Sequence, residues 1–484
     1  MWAIIVALLV MLVGCSSGGG GGTSDATPIS SAPASPAGLI WGRTAGSQES
    51  LFRSQSDGSG QVTLVDEQGI RATFAKLAGS LVIYQTQAVP FSGGDQRDIW
   101  KVSTSGVGRQ ALANATDDEI VRDVVGSRVI YDQIISLPSG VRLNDLTSVV
   151  TDGSGRAVIA AAVRTPGSES IANYEGSVAG KVVYSRNSGL YSLLPDGSDL
   201  RPLVNAPGSP SGQYTFTGMQ GSVGSSVIFS ARPSSPPLPD LYDVPVNSGA
   251  IVPLASDPDN DFLGGVNGNR VVYHRCSGPC DLYSVASDGS GTVPLSTDPG
   301  NEFLEEMVGG RIVYTRSVNG QTDIYSVNAD GTNPVPLATS PANEGVEGKV
   351  GSRVIFRRTD SNGNDNLYSI QADGTGGEIP LATFSEDDSF GGVVGSRVIF
   401  ERIMGSNVMS SPRALYSVLS DGTGLEQLTP GTSLDEFAGA AGGFACFERT
   451  QSGQRDLLCV PADGSSPAVP IAATSADEYF ITGL

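Results

Sequence analysis

The chain has little of what basic, helical or histidine-dependent proteins need. Among 484 residues there are four lysines, one histidine (His274) and five cysteines, and charged residues make up only 16%. Lys and Arg total 29 against 50 Asp and Glu, a net charge of −21, and the basic residues are scattered. Phosphate backbones are bound by basic stripes, so this composition argues against a nucleic-acid partner. Long amphipathic helices are excluded as the main architecture because Gly (63) and Pro (29) approach a fifth of the chain. Many short elements joined by turns, as in all-β repeat folds, accommodate such a composition, and 39% hydrophobic residues suffice for a core.

No apolar run is long enough to span a bilayer. The run Ala3 to Val13 instead has the length of a signal-peptide hydrophobic region. It ends in Leu12-Val13-Gly14-Cys15, which resembles the lipobox of bacterial lipoproteins. The resemblance implies that residues 1–14 are a lipoprotein signal peptide and that Cys15 is diacylated on its thiol. A simple secretory signal with an incidental cysteine is the alternative. Residues 15–38 are rich in Gly, Ser, Ala and Pro without apolar periodicity, which predicts a flexible tether reaching roughly 25 Å.

From residue 39 to 484 a β-branched pair followed by an aromatic recurs at Trp41, Tyr84, Tyr131, Tyr184, Phe229, Tyr273, Tyr314, Phe356, Phe400 and Phe447. The intervals run from 41 to 53 residues, the length of a four-stranded propeller blade. Within a copy, strand a is a small-residue segment such as Phe390 to Val394, and strand b is the aromatic-bearing run up to Arg402. Strand c is Ala414 to Val418 and its equivalents, and strand d carries Pro-Leu, as at Pro294, Pro336 and Pro380. Asp-Gly at Asp57, Asp152, Asp196, Asp288, Asp330, Asp373, Asp421 and Asp463 predicts a tight hairpin between c and d. Proline in d fits an outer edge, where a missing N–H discourages sheet-to-sheet pairing.

This cadence resembles the β-propeller repeats of TolB-type bacterial envelope proteins over residues 39–484. The resemblance implies an all-β propeller of about ten four-stranded blades in the cell envelope, periplasmic or at the cell surface. The first copy lacks strand a, while Asp477 to Ile481 reads as a surplus strand a at the C-terminus. The last strand is therefore expected to complete the first blade. Two five-bladed propellers remain the alternative.

The four cysteines after Cys15 are an even number in an exported chain, which predicts two disulfides. Cys276 and Cys280 flank a three-residue loop. Transferring the Tyr273–Tyr283 register to the last copy sets Phe447 opposite Leu458 and Cys446 opposite Cys459. It also sets Arg275 opposite Asp281, Arg316 opposite Asp323 and Arg449 opposite Asp456. A metal or redox site at Cys276 and Cys280 beside His274 is the competing reading.

Twelve residues before the b-strand aromatic stand Glu119, Asp261, Glu302, Glu344, Asp388 and Asp435, with Glu436 beside the last and Glu478 playing this part in the C-terminal strand. If these carboxylates crowd a channel mouth, they would attract a cationic ligand, with calcium a weak possibility. The other reading is a structural residue copied by duplication. The long b–c loops 85–97, 132–144, 230–239 and 403–413 are candidate recognition surfaces. Neither a nucleophile elbow nor a His-Glu-x-x-His or Walker motif occurs. The function expected from sequence is a lipid-anchored binding or scaffold module for an envelope protein, glycan or cationic ligand, touching the membrane only through its lipid. A carboxylate-based glycan hydrolase and a purely architectural surface component are the alternatives.

Overall fold

A computed structural model describes residues 36–484 apart from 90–95, 138–140, 163–170, 205–213, 234–238 and 406–410. Cys15, the signal segment and most of the tether lie outside the described residues. Forty strands and no helix occur among the described residues. They form ten antiparallel meanders of four strands, numbered here as blades 1 to 10 along the chain. Blade 7 shows the pattern, with a Asn301–Val308, b Arg311–Val318, c Gln321–Asn328 and d Val335–Ala338. The a–b corner is a two-residue turn in which Gly309 and Gly310 both have positive φ, the backbone that matches strand twist.

The c–d corner differs from the tight hairpin expected at Asp-Gly. In blade 7 six residues, 329–334, separate the two strands. Gly331 N donates to Asn328 O at 2.9 Å, while Asp330 Oδ1 accepts Thr332 N at 3.0 Å and Thr332 Oγ1 at 2.6 Å. Aspartate here caps its own turn rather than forming a hairpin corner, because the short outer strand begins only after the turn is complete. The second residue of that outer strand is proline in most blades, as at Pro294, Pro336 and Pro380.

The ends meet as the surplus strand implies. Asp477–Gly483 pairs antiparallel with Gly38–Ala45, placing Phe480 opposite Trp41, so blade 1 is built from both termini. Side chains of a strand project perpendicular to its sheet, so each blade offers two faces to its neighbours. Apolar residues on those faces fuse into ten clusters, one at every junction between successive blades. Blades 5 and 6 share Ile228, Leu241, Val271 and Tyr273. Blades 10 and 1 share Phe444, Cys446, Trp41 and Phe52. Two five-bladed rings would break the first junction, so the ten blades form one closed circuit. All ten b-strand aromatics lie inside these clusters at 2% exposure or less, each burial stabilising by about 2 kcal/mol.

A polar relay accompanies the apolar one. The serine after the c-strand aromatic is buried and donates to a carbonyl of the next blade. Ser284 reaches Ala329 O at 2.5 Å, Ser326 reaches Ala372 O at 2.5 Å and Ser369 reaches Ser420 O at 2.6 Å. Behind these three serines, the arginine opening strand b donates through Nε to the serine Oγ, as Arg270, Arg311 and Arg353 do at 3.0 to 3.1 Å. The "GSRV" and "LYSV" cadences thus encode one bond chain that crosses from blade to blade.

Every strand a carries a β-bulge at the register break before its second half, such as Leu304/Glu306 and Phe390/Gly392. Where glycine follows the break, as in blades 9 and 10, it makes room for the neighbouring blade. A Cβ on Gly392 would lie 2.6 Å from the Phe437 ring, and one on Gly439 would lie 2.3 Å from the Phe480 ring.

Candidate functional site

The carboxylate series does not form an exposed acidic mouth. Glu119, Asp261, Glu302, Asp388, Asp435 and Glu478 have no exposure and Glu344 has 3%. The physical reason is the direction of side chains on strand a. They stand perpendicular to the sheet, toward an adjoining blade, and not along the sheet into a channel.

Five of these carboxylates meet an arginine fourteen residues later, two positions past the b-strand aromatic. Arg Nε lies 3.0 Å from Asp261 (Arg275), 3.1 Å from Glu302 (Arg316), 2.9 Å from Glu344 (Arg358), 2.8 Å from Asp388 (Arg402) and 2.7 Å from Asp435 (Arg449). The register sets Arg275, Arg316 and Arg449 opposite Asp281, Asp323 and Asp456 as expected. Their ion-pair partners, however, are on strand a and, for Arg275 and Arg316, also in the loop before it at Asp257 and Asp298. The signal for this was present in the sequence as the constant interval of fourteen, which cross-strand register alone does not reveal.

Each guanidinium also lies over aromatics of its own blade. Arg316 is 4.4 Å from the Tyr325 ring centre, Arg358 is 4.8 Å from Tyr368 and Arg402 is 4.4 Å from Tyr416. These rings stack in turn on the b-strand aromatics, at 5.6 Å for Tyr314 and Tyr325. In the two copies without a paired arginine, the loop before strand a supplies the donor. Ala115 N donates to Glu119 Oε1 at 3.1 Å and Thr474 Oγ1 donates to Glu478 Oε1 at 2.5 Å. Glu436 is separate, partly exposed and 3.0 Å from Arg413.

Burial raises several of these acids. Glu119 and Glu302 are pushed up to about 7 and Asp261 to about 6, with Arg316 and Arg275 partly offsetting the shift for the latter two. Asp243 stands where other blades carry the relay serine and is also raised, to about 6, by burial. Five members keep one carboxylate oxygen without a protein partner, namely Glu119, Asp261, Glu302, Glu344 and Glu478. A proton or a bridging water satisfies such an oxygen without an ion.

Both disulfides are formed, Cys276 to Cys280 and Cys446 to Cys459. His274 is turned away to the next blade, where Nε2 accepts Leu304 N at 3.0 Å, and burial lowers its pKa. The sulfurs are bonded to each other and the imidazole lone pair is occupied, so a metal ion has no free ligands there. Among the described residues no group of three or more His, Cys, Asp or Glu is placed to hold a metal ion.

Two cavities bear on binding. One of about 200 Å3 lies in blade 2, where Ala72 replaces the carboxylate, and is lined by Arg71, Gln85, Gln87 and Arg97 among others. Both arginines are already paired, Arg71 with Glu49 at 2.6 Å and Arg97 with Asp118 at 2.8 Å. The other, of about 380 Å3, opens between the outer parts of blades 6 and 7 against Pro294, Arg316, Tyr325 and Pro336. The variable b–c loops lie partly outside the described residues.

Neither a family profile nor a curated protein matches the chain. Solved structures similar to it include a β-propeller domain. A candidate TolB from Agrobacterium tumefaciens is 16% identical, covering 57% of this chain and 84% of that one with a TM-score of 0.28. The β-propeller domain of the Trilobed protease from Pyrococcus furiosus is 12% identical, covering 75% and 99% with a TM-score of 0.32. A puromycin-hydrolyzing peptidase of Mycobacterium tuberculosis is 15% identical, covering 81% of this chain and 58% of that one with a TM-score of 0.32. The fold is a β-propeller. That statement rests on strand order and closure, since likeness at these scores says nothing of activity or partners.

Proposed function

We propose that this chain is an extracytoplasmic β-propeller held to a membrane by a lipid on Cys15, serving as a binding or scaffold module for an envelope protein or glycan. The observation that carries the reading is how the repeated polar side chains are spent. Carboxylates, arginines and serines recurring around the ring are committed to bonds within and between blades, which makes a rigid frame. On such a frame recognition falls to what differs between copies, the loops and the junction niches. Two disulfides fit an oxidising compartment. The acidic series, closed inside its blades, leaves a cationic ligand or calcium without the exposed site first expected for it.

The anchor is tested by palmitate incorporation, expected for the native chain and absent from Cys15→Ala. Photo-crosslinkers placed in the b–c loops of the full chain should capture a defined envelope component from intact cells. Unlabelled loops together with a soluble, unlipidated chain would refute the reading.

A further inference from the structure

Equivalent positions of the repeat can be compared across junctions. In blades 6, 7 and 9 the residue four before the strand-a carboxylate, Asp257, Asp298 or Phe384, reaches the arginine of that blade. In blade 9 it is Phe384, whose ring centre lies 3.5 Å from the Arg402 guanidinium carbon, with Tyr416 also close to that carbon at 4.4 Å. Arg402 is thereby covered, with its side chain only 8% exposed. In blade 7 the same position is Asp298, which reaches an edge nitrogen of Arg316 and remains 62% exposed. Among the described residues Arg316 is close to one ring, Tyr325, at 4.4 Å. The space that Phe384 takes in one junction is therefore open in the other, as the cavity of about 380 Å3 walled by Pro294, Pro336, Tyr325 and Arg316.

We propose that the niche between blades 6 and 7 binds an aromatic side chain of a partner polypeptide, laid against Arg316 as Phe384 lies against Arg402. This deepens the binding-module reading and rests on it. The chemistry is that of the internal example. A guanidinium presents a flat, weakly hydrated face that attracts a π cloud, and proline and tyrosine walls exclude water from the ring edges. The volume is at the small end of ligand sites, suited to one side chain and not to an extended ligand. A polypeptide is the source because the occupant of the equivalent niche is itself a phenylalanine side chain. Asp298 lines the niche and is bonded to an edge nitrogen of Arg316, which leaves the guanidinium face for the ring, and Glu302 is buried behind the arginine.

The test uses the whole chain and capped tripeptides, acetyl-Gly-Phe-Gly-amide and its leucine analogue, in ligand-observed NMR titrations. The phenylalanine peptide should bind one site, with the leucine analogue about tenfold weaker because it has no π face. Asp298→Phe should fill the niche from within and abolish binding. Phe384→Asp, which copies the open junction into blade 9, should raise the stoichiometry to two. Both substitutions are at partly exposed positions, and a native-like melting curve for each confirms folding. Equal binding of the leucine peptide, full binding by Asp298→Phe, or free phenylalanine binding as tightly as the tripeptide would overturn the proposal. Loop crosslinkers separate the two readings. Partner capture that persists in Asp298→Phe, with no peptide binding by the native chain, removes the niche and leaves the module standing.

Discussion

A carboxyl group moved out of water holds its proton more tightly, and this ring repeats that situation in several blades. Glu119 and Glu302 near 7, and Asp261 and Asp243 near 6, all lie above the ordinary carboxylate range because of burial. For groups raised on folding, the native state binds protons that the unfolded chain releases. Their contribution is complete below about pH 4 and is lost as pH rises through about 6 to 7. Turn aspartates act in the opposite sense. Asp330 and Asp421 are lowered chiefly by hydrogen bonds from Thr332 and Thr423, so their contribution is lost as pH falls through their folded values. Thermal melts should therefore give a maximum near about pH 5 and a falling Tm toward about pH 8. In Glu302→Gln, which keeps the shape and cannot ionise, the alkaline fall should be shallower. Arg316→Leu should be the harsher change at pH 8, costing about 3 kcal/mol in urea unfolding by leaving Glu302 buried without its cation, and milder at pH 5, where Glu302 takes a proton instead.

Within an element, the four strands of a blade are held by their own ladder and also by what crosses to the next blade. Ser326 illustrates the point, since it accepts from Arg311 Nε at 3.0 Å and donates to Ala372 O at 2.5 Å in blade 8. Ser326→Ala removes one donor and one acceptor from a dry junction and should lower the unfolding free energy by about 1 to 3 kcal/mol, read by urea denaturation. Disulfides differ by element too. Cys446 to Cys459 spans thirteen residues and lies in the core beside the closing blade, whereas Cys276 to Cys280 spans four at a loop. The longer loop removes more unfolded-chain entropy, so double alanine replacement of the first pair should lower Tm more than that of the second.

At the scale of the molecule, stability depends on the circuit being complete. Without its last strand, blade 1 would expose the apolar residues that Asp477–Gly483 now covers, and the junction with blade 10 would lose Phe480. Deleting residues 477–484 should replace the single cooperative melt by broad unfolding with dye binding to exposed apolar surface. A melt unchanged in shape and midpoint would contradict the closure argument. Deletion of residues 16–30, which composition reads as tether, is expected to leave the melt unaltered.

Much of this architecture was legible in one dimension because the repeat shows itself ten times. Aromatics at near-constant intervals, Asp-Gly turns, edge prolines and a surplus C-terminal strand specify the blade, its strand order and its closure, and cysteine spacing specifies both bridges. Those are local or periodic features, and hydrophobic period and turn chemistry are written residue by residue. What the tertiary structure decided is where each repeated side chain points. The acidic series reads equally well as a channel rim or as a buried clamp, because sequence records that Glu302 recurs but not which way strand a faces. Only packing of neighbouring blades shows that it turns inward to Arg316, that blades 5 and 6 share a core and so belong to one ring, and that Phe384 fills a niche which Asp298 leaves open. Contacts between blades join residues that are distant along the chain, and their geometry exists only once neighbouring blades have packed.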